Sequence, residues 1–391
     1  MDVEKKFIPR QLSPPKGSYF LLGPRGTGKS TWLQHHYVQA KRIDLLLGEE
    51  ERKFSSYPER LRGFVKEMAP GSALILDEIQ RVPRLLSEVH ALIEARCGIQ
   101  FILTGSSTRK LRRSVSDLLG GRALMRSMGP FLASELGASF SLTRALKTGL
   151  IPLIWQSSDA EERLRDYLHL YLKEEVQAEG LVRQLGDFSR FLEVASFSYG
   201  SIWTSTDISR ESSVKRGTVD NYLQILEDLY LAFLLPVFSR RAKRRLIAHH
   251  KFYFFDVGVY RALRPQGILD SSQEIEGGAL EGLVAQHLRS WVMAQQEPHT
   301  LSFWRTQTGL EVDFVIYGPR GFWAIEVKRS PNLSPHDVRG MAAFQEEYPE
   351  ATCCFLTTCK ERENYRGFLV LPIEEFLQNL FLQETIPIVN K

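Results

Sequence analysis

The chain has 391 residues and a formal net charge of +4, and it is 43% hydrophobic and 25% charged. This length favours two or three domains, and the apolar content excludes intrinsic disorder as a description of the whole chain. No apolar run is long enough to span a membrane, and the N-terminus lacks the apolar core of a secretory signal. The four cysteines form no CxxC pair, which argues against a disulfide scaffold or a zinc site. We therefore expect a cytoplasmic protein with no membrane partner.

The first third of the chain is basic and alternates short apolar runs with helical stretches. Strands are predicted at Ser18–Leu22, Ala73–Leu76 and Ile99–Leu103, and helices at Ser30–Gln39 and Leu85–Ala95. Strands that alternate with helices are typical of a parallel sheet. An excess of basic residues in this third is compatible with a polyanionic partner.

A complete GxxxxGK[ST] motif lies between the first predicted strand and the first predicted helix. Glycines let backbone N–H groups point at phosphate oxygens, and the helix N-terminus favours an anion. Lys29 is predicted to reach the β- and γ-phosphates of ATP, and Ser30 to offer its hydroxyl to Mg²⁺. The predicted ATP-binding residues of this loop are Gly23, Pro24, Arg25, Gly26, Thr27, Gly28, Lys29, Ser30 and Thr31.

Two acids follow the second predicted strand, in the arrangement of a Walker B motif. Asp77 is predicted to hold Mg²⁺ through water, and Glu78 to orient and polarise the attacking water. Ser106, beyond the third strand, is a candidate sensor of the γ-phosphate, although an ordinary turn explains the same residues. The arginines that are candidates for completing the site are Arg25, Arg81, Arg109 and Arg122.

Arg122 is the most interesting of these arginines, because the glycines before it would let its side chain project. If Arg122 acts on a neighbouring subunit, the protein must form a homo-oligomer. A solvated surface explains any of these arginines equally well.

At these motifs the first third resembles the AAA-type ATPase domain (AAA_14) of a large prokaryotic family. The shared segments are Gly23–Ser30, Leu76–Gln80, Leu103–Ser107 and Gly121–Phe131. Two further segments, Tyr167–Leu172 and Lys251–Gly258, also match, and the last third resembles the DUF4143 domain that accompanies this ATPase. The resemblance implies ATP binding, and it also implies an ATPase site shared between subunits.

The middle region is predicted to be helical and to end in a hairpin, an order that indicates a winged helix. Apolar residues recur three and four apart between Val219 and Phe233, and the strands Phe233–Phe238 and Lys251–Phe255 frame a basic segment. The predicted DNA-binding residues are Lys215, Arg216, Asn221, Arg241, Lys243 and Arg244. A solvated surface, or contact with the acidic last third, explains the same charges.

The last third is predicted to contain a helix and four strands, at Ala279–Ala294, Leu301–Arg305, Glu311–Tyr317, Phe322–Lys328 and Thr352–Leu356. A turn at Pro319 and Arg320 would place Asp313 opposite Glu326 in a hairpin, with Lys328 on the same face.

A helix acid, an aspartate and an ExK segment form the PD-(D/E)xK nuclease pattern. The predicted catalytic residues are Glu281, Asp313, Glu326 and Lys328, with Asp313 and Glu326 sharing Mg²⁺ or Mn²⁺. Lys328 would position the attacking water or stabilise the developing charge. A cross-strand ion pair between Asp313 and Lys328 is the alternative explanation.

We therefore predict an α/β chain of three parts. They are a P-loop AAA-type domain (1–155), a helical and winged-helix region (156–265) and a restriction-endonuclease-like domain (266–391). The predicted function is ATP hydrolysis by a protein that acts on or binds DNA, with ATP gating a metal-dependent nuclease. The alternative is a nucleotide-dependent switch or a protein-interaction module whose nuclease-like domain is inactive.

Overall fold

A computed structural model describes residues 7–106, 122–172, 185–239, 250–268 and 270–388. The chain divides into two compact units, of which the first is Met1–Gly129 with Ile225–Leu231 and the second is Pro130–Gln224 with Ala232–Lys391. The predicted boundaries near 155 and 265 stay predictions. Among the described residues, none of the helices has the length and apolar character that a membrane span needs.

The described part of the first unit is built on a fully parallel sheet. Its strands are β1 (Tyr19–Leu22), β2 (Lys41–Asp44), β3 (Ala73–Asp77), β4 (Gln100–Gly105) and β5 (Leu124–Ser127), in the order β2-β3-β4-β1-β5. Its helices are α1 (Lys29–His36), α2 (Gly48–Ser56), α3 (Arg60–Lys66) and α4 (Leu85–Glu94). The predicted parallel α/β architecture is confirmed. The edge strand β2 was not predicted, because its sequence KRID is largely exposed and has no apolar run.

Both faces of the central strands of this sheet are buried, since alternate residues of β1, β3 and β4 enter two different apolar clusters. Phe20 and Leu22 pack in one cluster, whereas Tyr19 and Leu21 pack in the other. A strand that is buried on both sides has a continuous apolar sequence, as Tyr19–Leu22 does. The order of the strands also brings the carboxyl ends of β3, β4 and β1 next to one another at one edge.

The second unit begins with helices and a small antiparallel hairpin. The helices are α5 (Ala133–Leu136), α6 (Leu142–Thr148), α7 (Pro152–Trp155), α8 (Ala160–Asp166), α9 (Leu185–Phe197), α10 (Ser205–Ser212) and α11 (Arg216–Asp228), with a π-helical turn at Tyr167–Leu172. The residues of α11 from Ile225 on belong to the first unit. The hairpin pairs β6 (Ala232–Leu235) with β7 (Lys251–Phe254). Isolated bridges join Tyr199 to Phe252 and Ile202 to Lys251, so the segment before α10 runs along β7.

The first hairpin strand, β6, ends at Leu235 rather than at the predicted Phe238. Phe238 packs instead in the core of the C-terminal sheet. The backbone N–H of Phe238 donates to the carbonyl of Phe303 at 2.6 Å, and the Phe238 ring packs in the apolar cluster of the C-terminal sheet. The hairpin is thereby joined to the sheet that follows.

The rest of the second unit is a mixed sheet with helices. The helices are α12 (Val257–Leu263), α13 (Ser272–Ala294), α14 (Arg339–Glu347) and α15 (Ile373–Gln378). The strands are β8 (Thr300–Arg305), β9 (Glu311–Gly318), β10 (Gly321–Val327), β11 (Thr352–Thr357), β12 (Glu363–Tyr365) and β13 (Phe368–Pro372), in the order β12-β13-β11-β10-β9-β8.

The hairpin of β9 and β10 has the predicted register. Gly318 lies opposite Gly321 and Phe314 opposite Ile325, which leaves Pro319 and Arg320 in the turn. On its other side β9 is irregular, because Val315 and Val312 pair with residues of β8 that are only two apart, Ser302 and Trp304. The extra residue is a β-bulge at Asp313 and Phe314. Bulges redirect side chains, and this one lies at a predicted site residue.

Candidate functional site

The phosphate loop follows β1 at the carboxyl edge of the first sheet. A Cβ atom at Gly23 would lie 2.2 Å from the carbonyl oxygen of Met128, so only glycine fits there. Gly26 and Gly28 have φ angles of 79° and 88°, which other residues rarely adopt. The Lys29 ammonium lies back over the loop, where it donates to the carbonyls of Gly23 at 2.6 Å and Pro24 at 3.0 Å. Ser30, the second residue of α1, is exposed.

Asp77 ends β3 and is held by residues of two neighbouring strands. The Thr104 hydroxyl donates to Asp77 Oδ1, and Arg42 forms an ion pair with Asp77 Oδ2. Arg42 Nη2 also lies 3.5 Å from the Ser30 hydroxyl. One guanidinium therefore bridges the two residues that were predicted to hold Mg²⁺. Sequence reasoning missed Arg42, because it lies on the unpredicted edge strand β2.

Glu78 adopts a left-handed conformation, with φ of 59° and ψ of 47°. Its backbone N–H donates to the Thr104 hydroxyl at 3.3 Å. The Gln80 side-chain amide donates both to Glu78 Oε2 and to the Ser106 hydroxyl, the latter at 3.2 Å. Ser106 Oγ is itself 3.5 Å from Glu78 Oε2. The structure thus brings Ser106 to Glu78, and Gln80 is a further site residue that stood unassigned within the motif Leu76–Gln80.

The arginine candidates lie in different surroundings. Arg25 is exposed on the loop. Arg81 pairs with Glu51 at 3.4 Å, and Arg122 pairs with Glu94. Arg109 lies outside the described residues. Which arginine completes the ATP site therefore stays a prediction.

The predicted DNA-binding residues fall into two groups. Lys215, Arg216 and Asn221 are exposed at the start of α11, whereas Val219 and Tyr222 of the same helix are buried. Tyr222 packs against the rings of α9, so the buried side of α11 faces that helix. Arg241, Lys243 and Arg244 lie outside the described residues.

The four predicted nuclease residues do come together in the second unit. Asp313 Oδ2 accepts from the backbone N–H of Val327 at 2.9 Å, and Glu326 Oε2 accepts from the N–H of Asp313 at 3.1 Å. Lys328 Nζ donates to Glu326 Oε1 at 2.7 Å. Asp313 and Glu326 are nearly buried, so this pair lies inside the domain.

A lysine that sequence reasoning did not assign lies among these acids. Lys251 Nζ is 3.0 Å from Glu281 Oε1, 2.6 Å from Glu311 Oε1 and 3.4 Å from Asp313 Oδ1. The Tyr253 hydroxyl donates to the same Glu281 oxygen at 2.5 Å. The only sequence signal was a charged residue at the head of the apolar run Lys251–Phe255.

Burial shifts the pKa values of this cluster. Burial raises the pKa of Glu326 to about 8, with repulsion from Asp313 acting in the same direction and Lys328 opposing it. Burial also raises the pKa of Glu281 to about 6, against the attraction of Lys251. Burial would lower the pKa of Lys251, but the surrounding acids outweigh it and raise that pKa well above its usual range. Lys251 is therefore positively charged at neutral pH.

Three family models match successive parts of the chain. Residues 16–137 match an AAA domain, residues 139–271 match a domain of unknown function, DUF8612, and residues 276–376 match another, DUF4143. The AAA-domain match supports nucleotide binding and hydrolysis by the first of these parts.

Similar proteins are known from bacteria and archaea. The uncharacterized protein Rv2008c of Mycobacterium tuberculosis is 25% identical over 332 residues, which is 80% of this chain and 71% of that protein. The uncharacterized protein MJ1544 of Methanocaldococcus jannaschii is 25% identical over 348 residues, covering 81% of this chain and 74% of that protein.

Solved structures give weaker matches. The replication initiator DnaA bound to AMPPCP and single-stranded DNA aligns with 54% of this chain and 82% of its own, at 17% identity and a TM-score of 0.27. PCH-2 of C. elegans aligns with 54% and 60%, at 14% identity and a TM-score of 0.22. The family models alone identify an AAA domain at residues 16–137 and DUF4143 at residues 276–376, the two domains that the sequence motifs had indicated.

Proposed function

We propose that this chain is an ATPase in which Glu78 is the general base. The observation that carries the proposal is that Lys29, Ser30, Asp77 and Glu78 all lie at the carboxyl ends of β1 and β3, on one edge of the first sheet. Glu78 is also oriented, because its carboxylate accepts from Gln80 and lies beside Ser106. An acid held in this way can align a water molecule with the terminal phosphate.

The loop residues suit a Mg²⁺-bound nucleotide. The Arg42 guanidinium contacts both Ser30 and Asp77, so a cationic group already fits between these two ligands. Mg²⁺ held by Ser30 and Asp77 would neutralise charge on the β- and γ-phosphates. Lys29 would exchange its bonds to the loop carbonyls for phosphate oxygens, and Ser106 would contact the γ-phosphate.

ATP turnover by the full chain tests this proposal. Glu78→Gln is expected to lower kcat by roughly 10²–10⁴-fold, the usual contribution of a general base. Binding of ATP should be retained, because the loop is unchanged. Glu67→Gln, at an exposed acid of the same unit, is the matched control and should retain full turnover. Undiminished turnover by Glu78→Gln would refute the assignment of the base.

We further propose that the exposed start of α11 binds DNA. The proposal is supported by the order of elements α9, α10, α11 and the β6–β7 hairpin, because three helices followed by a hairpin are expected of a winged helix. Lys215, directly before α11, and Arg216 and Asn221 within it are exposed, so they could reach a phosphate backbone or base edges. ATP state would then control DNA engagement, and a cytoplasmic homo-oligomer would be its working form.

Fluorescence anisotropy with labelled duplex DNA tests this second proposal. Lys215→Ala and Arg216→Ala should each weaken binding and reduce its salt dependence, since each removes a phosphate contact. Lys66→Ala, at an exposed lysine of the first unit, is the control and should bind as the wild type does. Equal affinity of all four proteins would refute a DNA-binding role for α11 and favour the switch or protein-interaction alternative.

A further inference from the structure

The ammonium group of Lys251 lies among the predicted nuclease residues. Lys251 is the first residue of β7, and its side chain is only 4% exposed. Its ammonium lies within 3.4 Å of three carboxylates, those of Glu281 on α13 and of Glu311 and Asp313 on β9. An ammonium has three donors and no acceptor, and here it donates to Glu281 and Asp313 and forms an ion pair with Glu311.

The backbone around Lys251 is anchored on both sides. Lys251 pairs with Leu235 of β6 in the hairpin, and an isolated bridge joins it to Ile202 on the other side. The Phe303 ring lies 5.5 Å from Nζ and covers it from a third direction. Strand pairing therefore holds the backbone from which the Lys251 side chain reaches the acids. Arg42 at the ATP site differs, because it lies on an edge strand and its side chain is 30% exposed.

The two acids that would ligate a metal already have partners for every carboxylate oxygen. Asp313 uses Oδ1 for Lys251 and Oδ2 for the Val327 N–H. Glu326 uses Oε1 for Lys328 and Oε2 for the Asp313 N–H. Mg²⁺ needs near-octahedral oxygen ligands at about 2.0–2.1 Å, and it retains several waters. In the described part of the chain, no group of His, Cys, Asp or Glu residues has the geometry of a metal site. Each of the two carboxylates also faces an ammonium, Lys251 at Asp313 and Lys328 at Glu326, and these positive charges repel a divalent ion at the same oxygens. As arranged here, these residues therefore do not fit a divalent ion.

We propose that the Lys251 ammonium is the resident cation of this carboxylate cluster, in the place of a divalent metal. The cluster then performs no metal-dependent cleavage. Its role is to join the β6–β7 hairpin, through Lys251, to α13 and β9. This inference is independent of the ATPase proposal.

Binding of Mn²⁺ to the full chain without nucleotide tests the proposal, with bound Mn²⁺ counted by electron paramagnetic resonance. Wild type and Asp313→Asn should bind equal amounts, because Asp313 holds no metal. Lys251→Met should gain one Mn²⁺ ion per chain, and the double variant Lys251→Met/Asp313→Asn should lose it again. The gain is expected because methionine keeps the length of the side chain but removes its charge.

Two results would overturn the proposal. The first is a Mn²⁺ ion that binds to the wild type and is lost in Asp313→Asn. This comparison tests the proposal even if Lys251→Met does not fold. The second is a folded Lys251→Met that gains no ion. DNA cleavage is an independent readout, assayed with Mg²⁺ or Mn²⁺ on linear, supercoiled and branched DNA. We expect none from the wild type, and cleavage that Glu326→Ala and Lys328→Ala both abolish would also overturn the proposal.

Discussion

The left-handed conformation of Glu78 predicts that two substitutions there differ in stability although both remove the catalytic carboxylate. With φ of 59°, Glu78 lies in a region that costs a residue with a side chain roughly 1–2 kcal/mol. Glycine avoids that cost, but it loses roughly 0.5–1 kcal/mol more conformational entropy on folding. We therefore expect Glu78→Gly to be more stable than Glu78→Ala by about 0.5–1 kcal/mol.

Both variants should lower kcat by roughly 10²–10⁴-fold, as Glu78→Gln does, because both lack the carboxylate. The comparison with Glu78→Ala isolates the backbone, since both variants also lose the bond from Gln80. Strain that is retained at a residue needed for chemistry is typical of functional sites.

Scanning calorimetry of the nucleotide-free chain measures the stability difference. A difference of about 1 kcal/mol corresponds to roughly 2–4 °C in the melting temperature of a unit of this size. Arg96 offers a matched control, because it is exposed and has φ of 50°. Arg96→Gly should exceed Arg96→Ala in stability by a similar amount, with full ATP turnover in both. A Glu78→Gly protein that melts below Glu78→Ala would refute the reasoning.

Three further predictions concern other residues. His287 is buried, its Nε2 accepts from the Ala133 N–H at 2.9 Å, and burial lowers its pKa to about 4. The unfolded chain therefore binds the extra proton between pH 6.5 and 4, and about 3 kcal/mol of stability should be lost as the pH falls through that range. His287→Gln should remove this loss in denaturant titrations. Gly258→Ala should destabilise by roughly 1–3 kcal/mol, because its Cβ would lie 2.4 Å from the Thr148 carbonyl oxygen. Arg42→Ala should lower the Mg²⁺ concentration needed to bind an ATP analogue, because Arg42 competes for Asp77.

Each of these predictions has its own control or contradicting result. Equal pH dependence of the wild type and His287→Gln would contradict the first. Gly277→Ala is the control for Gly258→Ala, since a Cβ there meets nothing within 4 Å and alanine should stabilise the helix by roughly 0.5–1 kcal/mol. An unchanged or higher Mg²⁺ requirement in Arg42→Ala would show that Arg42 does not compete with the ion.

Local patterns in the sequence were sufficient to predict the loop, the strand that ends in Asp77 and the register of the β9–β10 hairpin. In each case the residues that decide the structure are close together in the chain. Glycines permit the loop conformation, apolar runs specify buried strands, and the turn at Pro319 and Arg320 sets which residues lie opposite each other. The edge strand β2 escaped prediction because an exposed strand has no apolar pattern to reveal it.

Only the tertiary structure determines which charged side chains lie next to each other in the two sites. Arg42 and Asp77 are 35 residues apart, and Lys251 and Asp313 are 62 residues apart. A buried charge persists only where opposite charges and hydrogen bonds compensate for its lost hydration. Which residues supply that compensation depends on how the strands are ordered and on how the hairpin is joined to the C-terminal sheet. The sequence by itself was therefore sufficient to predict which acids belong to the C-terminal cluster, whereas only the fold placed Lys251 among them.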